Sequence, residues 1–236
     1  MTGSAVSPRA TSAGGIPNDE RPWRAWSEVI FRLRAHWRIK LVATPLLMSA
    51  FFVIYFLVLK APLFRVKIMP LIALDAFIPF APSALWIYLS LWVYIMFASA
   101  LIGGRRELFI YGWTVIALAT VGLGIFLLFP TAVPTPDIPW NEHGAFLFLK
   151  TVDATGNACP SLHVAFAVFS AMWLHRLLRA MGDPGIFRAL SWLWGWGIVY
   201  STLATKQHVV LDVFAGAALG IAAAALGIRR TDAEKA

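Results

Sequence analysis

Two short stretches of this chain carry side chains suited to acid, base and nucleophilic chemistry. One is Pro160-Ser161-Leu162-His163. The other is Ser201-Thr202 with His208 and Asp212 just after it. Both lie at the ends of strongly apolar segments, where an ionisable group costs several kcal/mol and is rarely present without a function. His208 and Asp212 are four residues apart, one helical turn, and so share a face. A carboxylate there can accept from one imidazole nitrogen and leave the other free to attack, as in activated nucleophiles. Pro160 suits the first position of a helix. The unpaired N–H groups that follow it, with the positive end of the helix dipole, would hold an anion such as phosphate. Ser161 would add a hydroxyl there and His163 a proton donor. The same three ionisable groups also admit two plainer readings. They fit buried hydrogen-bonding histidines, and they fit a metal site of two histidines and a carboxylate of the kind iron uses. The catalytic reading is preferred, and no metal or cofactor is expected.

The elements that must position these groups are membrane helices. Of 236 residues, 59% are hydrophobic and 14% charged, against about 25% charged in soluble domains. Apolar runs long enough to cross a bilayer fall at residues 41–59, 85–102, 108–129, 162–178, 187–203 and 209–228. The expected fold is therefore all-α: a six-transmembrane-helix bundle. A weaker run, residues 66–80, is interrupted by Pro70, Asp75 and Pro79, so it reads as re-entrant or interfacial. With six spans the termini share a side, and 15 of the 20 Lys and Arg fall on it, which predicts a multi-pass cell-membrane protein with cytoplasmic termini. The ends bearing His163, His208 and Asp212 then converge on the opposite, outer side. That asymmetry accounts for the net charge of +8 without a nucleic-acid partner.

Four segments are expected along the chain. Residues 1–22 form a disordered cytoplasmic tail rich in Ser, Thr, Gly, Ala and Pro. Residues 23–40 form an amphipathic helix, with Trp23, Trp26, Ile30, Leu33 and Trp37 on one face among arginines, suited to anionic membrane lipids. Residues 41–228 form the membrane domain and residues 229–236 a cytoplasmic tail. The single cysteine, Cys159, allows no intramolecular disulfide. Beside Pro160 it reads as a small residue before a helix, not as a nucleophile. His175, beside Arg176, reads as interfacial, and the oligomeric state is left open.

These residues resemble the type 2 phosphatidic acid phosphatase superfamily, with its signatures Lys-x6-Arg-Pro, Pro-Ser-Gly-His and Ser-Arg-x5-His-x3-Asp. The resemblance covers residues 129–220. The variants here, Cys-Pro-Ser-Leu-His-Val and Ser-Thr-Leu-Ala-Thr-Lys-Gln-His-Val-Val-Leu-Asp, are more similar to the branch that includes inositol phosphorylceramide synthases. Phe129-Pro130-Thr131-Ala132-Val133-Pro134 would stand for that branch's Phe-Pro-x-x-Pro-Pro element. The resemblance implies that His208 attacks phosphorus to give a phosphohistidine, that Asp212 orients it, and that His163 protonates the departing oxygen before activating water or an alcohol. A bell-shaped pH profile belonging to the coupled histidines follows.

The chain departs from the family where cations are concerned. Thr202 stands for the arginine of the third signature, and neither the lysine nor the arginine of the first appears near Pro130. Phosphoryl transfer leans on cations to hold the equatorial oxygens. The candidates on the correct side are Lys206 and Lys150, with Ser161, Ser201 and Thr202 as neutral phosphate ligands. Glu142 and His143 lie in a long loop expected to form a lid. Trp86, Trp92, Trp113, Trp192, Trp194 and Trp196 fit helix packing or an interfacial belt as well as a lipid pocket. Three functions follow: hydrolysis of a phospholipid or isoprenoid-lipid phosphomonoester, transfer of a phosphorylated head group from a lipid phosphodiester, and lipid binding by a catalytically inactive member of the fold.

Overall fold

The computed structural model describes residues 22–60, 62–138, 144 and 156–233. The expected disordered tail, apart from Pro22, lies outside the described residues, as does the end of the C-terminal tail. So do Glu142, His143 and Lys150 of the expected lid.

The regular structure of the described chain is helical apart from two short strands. Helix α1 spans Pro22–Arg34 and α2 spans Trp37–Lys60. The amphipathic helix thus ends six residues before the expected boundary at Lys40. Its last turn closes through the Ala35 N–H on the Phe31 carbonyl at 2.8 Å. His36 then takes φ 53°, a left-handed conformation that cannot continue a helix. Trp37 to Lys40 instead form the first turn of α2.

The weak apolar run divides into strand β1, Lys67–Ile68, and a one-turn helix α3, Ala73–Ala76. β1 pairs in parallel with β2, Thr131–Ala132. The expected second span is two helices, α4 (Ala84–Leu89) and α5 (Leu91–Ala100). They divide at Ser90, whose hydroxyl donates to the Ile87 carbonyl at 2.6 Å and accepts the Trp194 indole N–H at 2.8 Å. Helix α6 spans Arg105–Leu128, α7 Leu162–Ala180, α8 Ile186–Ala204 and α9 Val210–Ala233. Helix α9 runs five residues past the expected end of the membrane domain at Ile228.

By length and composition, α2, α6 and α9 are each long and apolar enough to cross a membrane. Leu41, Leu46, Val53 and Leu57 of α2 are all at least 60% exposed. A surface of that kind is ordinary against lipid and a liability in water. The core lies between the other helices, where Leu91, Tyr94, Phe169, Trp173 and Ile198 are almost wholly inaccessible.

Two glycines set the relation of α7 to α9. A methyl on Gly216 would stand 2.3 Å from the Ser161 carbonyl oxygen, and one on Gly220 would stand 2.4 Å from that of Ala165. Backbones in such contact require glycine, and the Gly-x3-Gly spacing puts both on one face. The pairings 216 with 161 and 220 with 165 advance together, so α7 and α9 run parallel. Their N-terminal ends, with His163 on one and His208 beside the other, therefore lie at the same end of the bundle.

Candidate active site

His163 and His208 line one cavity of about 150 Å3. His163, in the first turn of α7, stacks on Tyr88 with ring centroids 3.8 Å apart and planes within 9°, and meets the edge of Trp92 at 5.7 Å. Its Nε2 lies 3.3 Å from the Tyr88 carbonyl oxygen. Flat stacking against a buried tyrosine holds the imidazole in one plane.

His208 sits in the loop between α8 and α9. Its N–H and that of Gln207 both donate to the Thr202 carbonyl at 3.1 Å, which folds the loop tightly over the end of α8. Asp212 is completely buried. Its Oδ2 accepts the Val209 N–H at 3.0 Å and lies 3.5 Å from His208 Nδ1. The valine at 209 offers no capping side chain, so the carboxylate of Asp212 reaches back to satisfy that N–H. The same contact turns the carboxylate toward the imidazole. His208 Nδ1 and Asp212 Oδ1 are buried and make no hydrogen bond. With Nδ1 facing Asp212, Nε2 is the nitrogen left for chemistry.

Ser161 caps α7: its Oγ accepts the Val164 N–H at 3.3 Å. Its own N–H donates to the Asp212 carbonyl at 3.1 Å, which ties the two histidine-bearing segments together. Pro160 consequently stands before the cap and not at the first helical position. Ser201 and Thr202 are buried with their hydroxyls donating to the Ile198 and Val199 carbonyls at 2.6 and 2.8 Å. Neither lines the cavity.

Lys206 takes φ 56° and its Nζ donates to the Ile78 carbonyl. It lines a second cavity of about 210 Å3 that also touches His208, Asp75, Leu71 and Pro134. His208 is thus part of the wall of two chambers, with His163 in one and Lys206 in the other. Among the described residues, no lysine or arginine lines the chamber of His163.

That chamber is aromatic, with Phe51, Phe52, Tyr55 and Phe56 of α2 facing Tyr88 and Trp92. Of the six tryptophans singled out above, Trp92 alone lines it. Trp194 packs on Tyr94 and Phe97, while Trp86, Trp113 and Trp196 are exposed. Two amides join the lining. Asn157 donates to the Tyr55 hydroxyl, and Gln207 Nε2 donates to the Thr205 carbonyl at 3.4 Å. Asn157, Tyr55 and Tyr88 carry no motif, and their sequence positions give no hint of the site, while Gln207 falls at an unspecified position of the third signature, beside His208. Asp75 was visible as a charge breaking an apolar run.

Cys159 is half-buried, and burial, helped by the negative charge of Asp212, pushes its thiol pKa up. A raised pKa suits an inert thiol. His175 accepts the Trp192 indole N–H at 3.1 Å and stands apart from the cavity. Among the described residues, no cluster of three or more His, Cys, Asp or Glu is arranged to hold a metal ion.

The PAP2 superfamily profile matches residues 107–235, more than half of the chain, a range that includes His163, His208 and Asp212. The chain belongs to the PAP2 superfamily. Membership points to phosphatase or phosphotransferase chemistry on lipid phosphates, in a family that is typically membrane-bound. No curated protein and no solved structure matches the chain.

Proposed function

We propose that this PAP2 superfamily protein hydrolyses a phosphomonoester carried by a phospholipid or an isoprenoid lipid, through a phosphohistidine on His208. In the first half-reaction the lone pair of His208 Nε2 forms a bond to phosphorus. The phosphorus–oxygen bond to the lipid breaks, and His163 gives its proton to the departing oxygen. In the second, water attacks phosphorus, His163 takes the water's proton, the phosphorus–nitrogen bond breaks and inorganic phosphate leaves. Asp212 holds Nδ1 of His208 and stabilises its positive charge, and Ser161 sets the start of α7 beneath the phosphoryl group.

The observation that carries this reading is the shared aromatic chamber, with the buried Asp212 behind one of its two imidazoles. The aromatic wall suits the first segment of a lipid chain, and the two ring nitrogens suit its phosphate. The reading includes a six-span arrangement in the cell membrane, cytoplasmic termini, and a site opening at the outer face. Lys150 is a candidate phosphate ligand in it, and Lys206, Ser201 and Thr202 support the loop that bears His208.

One observation favours a second reading, transfer of a phosphorylated head group as in inositol phosphorylceramide synthases. The described part of the chamber has two amides and two tyrosines where a monoester dianion would call for cations. A phosphodiester carries one negative charge and asks less of the site.

The experiment uses full-length protein purified in detergent against phosphatidic acid, a polyprenyl phosphate and phosphodiester lipids, with His208→Ala as the blank. Release of inorganic phosphate by wild type alone is the expected result. Product that needs an alcohol acceptor and frees no phosphate selects head-group transfer. Equal signals from wild type and blank on every substrate reject both.

A further inference from the structure

The helix that carries Asp212 begins without a side chain of its own able to cap it from outside. Val209 and Val210 stand where Ser, Thr, Asp or Asn usually accepts the first free N–H groups. Asp212 satisfies the Val209 N–H. The next, that of Val210, donates to Asp75 Oδ1 at 2.8 Å, across 135 residues of sequence. The other oxygen of Asp75 accepts the Ile72 N–H at 2.8 Å, which fixes the carboxylate at both ends.

Asp75 is the centre of a wider attachment. Lys206 Nζ donates to the Ile78 carbonyl, and the Ala81 N–H donates to the Ala204 carbonyl at 2.9 Å. On the other flank the Lys67 and Met69 N–H groups donate to the Pro130 and Ala132 carbonyls at 3.0 and 2.9 Å. Residues 67–81 therefore form a strap from the end of α6 to the loop of residues 204–210. Asp75 and His208 line the same second chamber. His208 has no side-chain hydrogen bond at Nδ1, and its backbone is held in this loop by the Thr202 carbonyl at 3.1 Å.

We propose that Asp75 is a positioning residue for His208, acting through the backbone of Val210. By holding the first turn of α9 against the strap, it sets the distance and direction from which the imidazole meets phosphorus. This inference rests on His208 being the nucleophile. A displacement of the order of 1 Å at a nucleophile costs about 100-fold in rate, and one tertiary cap is well placed to prevent it. Removing such a cap leaves the substrate chamber intact, so the loss falls on kcat and not on KM.

The test measures phosphatidic acid turnover in detergent micelles, with rapid-quench labelling of the protein from 32P-phosphatidic acid to count competent sites. Asp75→Ala is expected to lower the per-site labelling rate and kcat by about 10- to 100-fold, with KM within about twofold. Asp75→Asn keeps a carbonyl oxygen for Val210 and is expected to recover to within about threefold of wild type. A folded Asp75→Ala protein with wild-type kcat per site overturns the proposal. Both variants failing to fold also overturns it, because Asp75 would then serve folding alone. His208→Ala with undiminished turnover instead rejects His208 as nucleophile, an outcome separable from the failure of Asp75.

Discussion

The two ends of the helical bundle hold their charged groups by different partners, chiefly side-chain ion pairs at one and backbone groups at the other. At the end away from the histidines, Arg176 pairs with Glu107 and with Asp232 at 2.7 Å, and Arg32 pairs with Glu28 at 2.6 Å. Lys40 donates to the Arg32 and Ala100 carbonyls at 2.7 Å, and Arg188 pairs with Asp183 at 3.0 Å. At the histidine end the buried polar atoms His208 Nδ1 and Asp212 Oδ1 make no hydrogen bond. A buried polar group without a partner costs roughly 1–3 kcal/mol. One end is tied together by ion pairs, and the other leaves two buried polar atoms without hydrogen bonds beside a cavity. Between them the Trp173 indole N–H also makes no hydrogen bond, but it lines neither chamber touching His208. Lacking a hydrogen bond marks a site only where a cavity accompanies it.

That contrast breaks most visibly if activity and stability fail to separate between the ends. Asp212→Asn is expected to lower kcat by the order of 10³- to 10⁴-fold while thermal unfolding in detergent stays at or above the wild-type midpoint, since a buried charge is removed. At the other end Arg176→Ala leaves Glu107, whose side chain is 10% exposed, without its cation. It should cost about 3 kcal/mol and leave kcat per folded site unchanged. A loss of per-site activity comparable to that of Asp212→Asn would join the two ends into one machine.

Gly220→Ala tests what connects them. Its new methyl meets the Ala165 carbonyl at 2.4 Å, so α9 must move away from α7, at a cost of about 1–3 kcal/mol. Because both histidine-bearing segments ride on this contact, kcat should fall along with the unfolding midpoint. Unchanged kinetics would show that the loop, and not the helix pair, sets the imidazoles.

A smaller effect is expected at Asp183, between α7 and α8. Burial raises its carboxyl pKa, but the Arg188 side chain and the N–H groups of Phe187, Arg188 and Gly185 outweigh burial and leave it below the usual carboxylate range. A lowered folded-state value stabilises the protein above the unfolded carboxylate pKa of about 3.9. That contribution disappears as the pH falls below it through the folded value. Asp183→Ala should cost about 1 kcal/mol near neutral pH, and the difference from wild type should shrink as the pH falls below about 4. The smallest effect belongs to Cys159→Ala, which should leave turnover within about twofold of wild type if a thiol of raised pKa takes no part in the chemistry.

The amino-acid order by itself determined the all-helical, membrane-compatible character, because apolar runs of 17 to 22 residues leave the backbone few ways to satisfy its hydrogen bonds in lipid. It also placed His208 and Asp212, the pair to which we assign the chemistry, one helical turn apart, a relation that is local. The limits of α1, the break at Ser90 and the extension of α9 depended on single left-handed residues, side-chain contacts and neighbouring helices that no hydropathy pattern encodes. Tertiary structure alone decided that Lys206 faces Ile78 in a second chamber and that Asn157 and Tyr88 line one cavity with the histidines. It alone brought Asp75 to the start of α9. Lys206 to Ile78, Asp75 to Val210 and His163 to Tyr88 span 128, 135 and 75 residues, and the close backbone contact permitted by Gly216 and Gly220 sets α7 against α9.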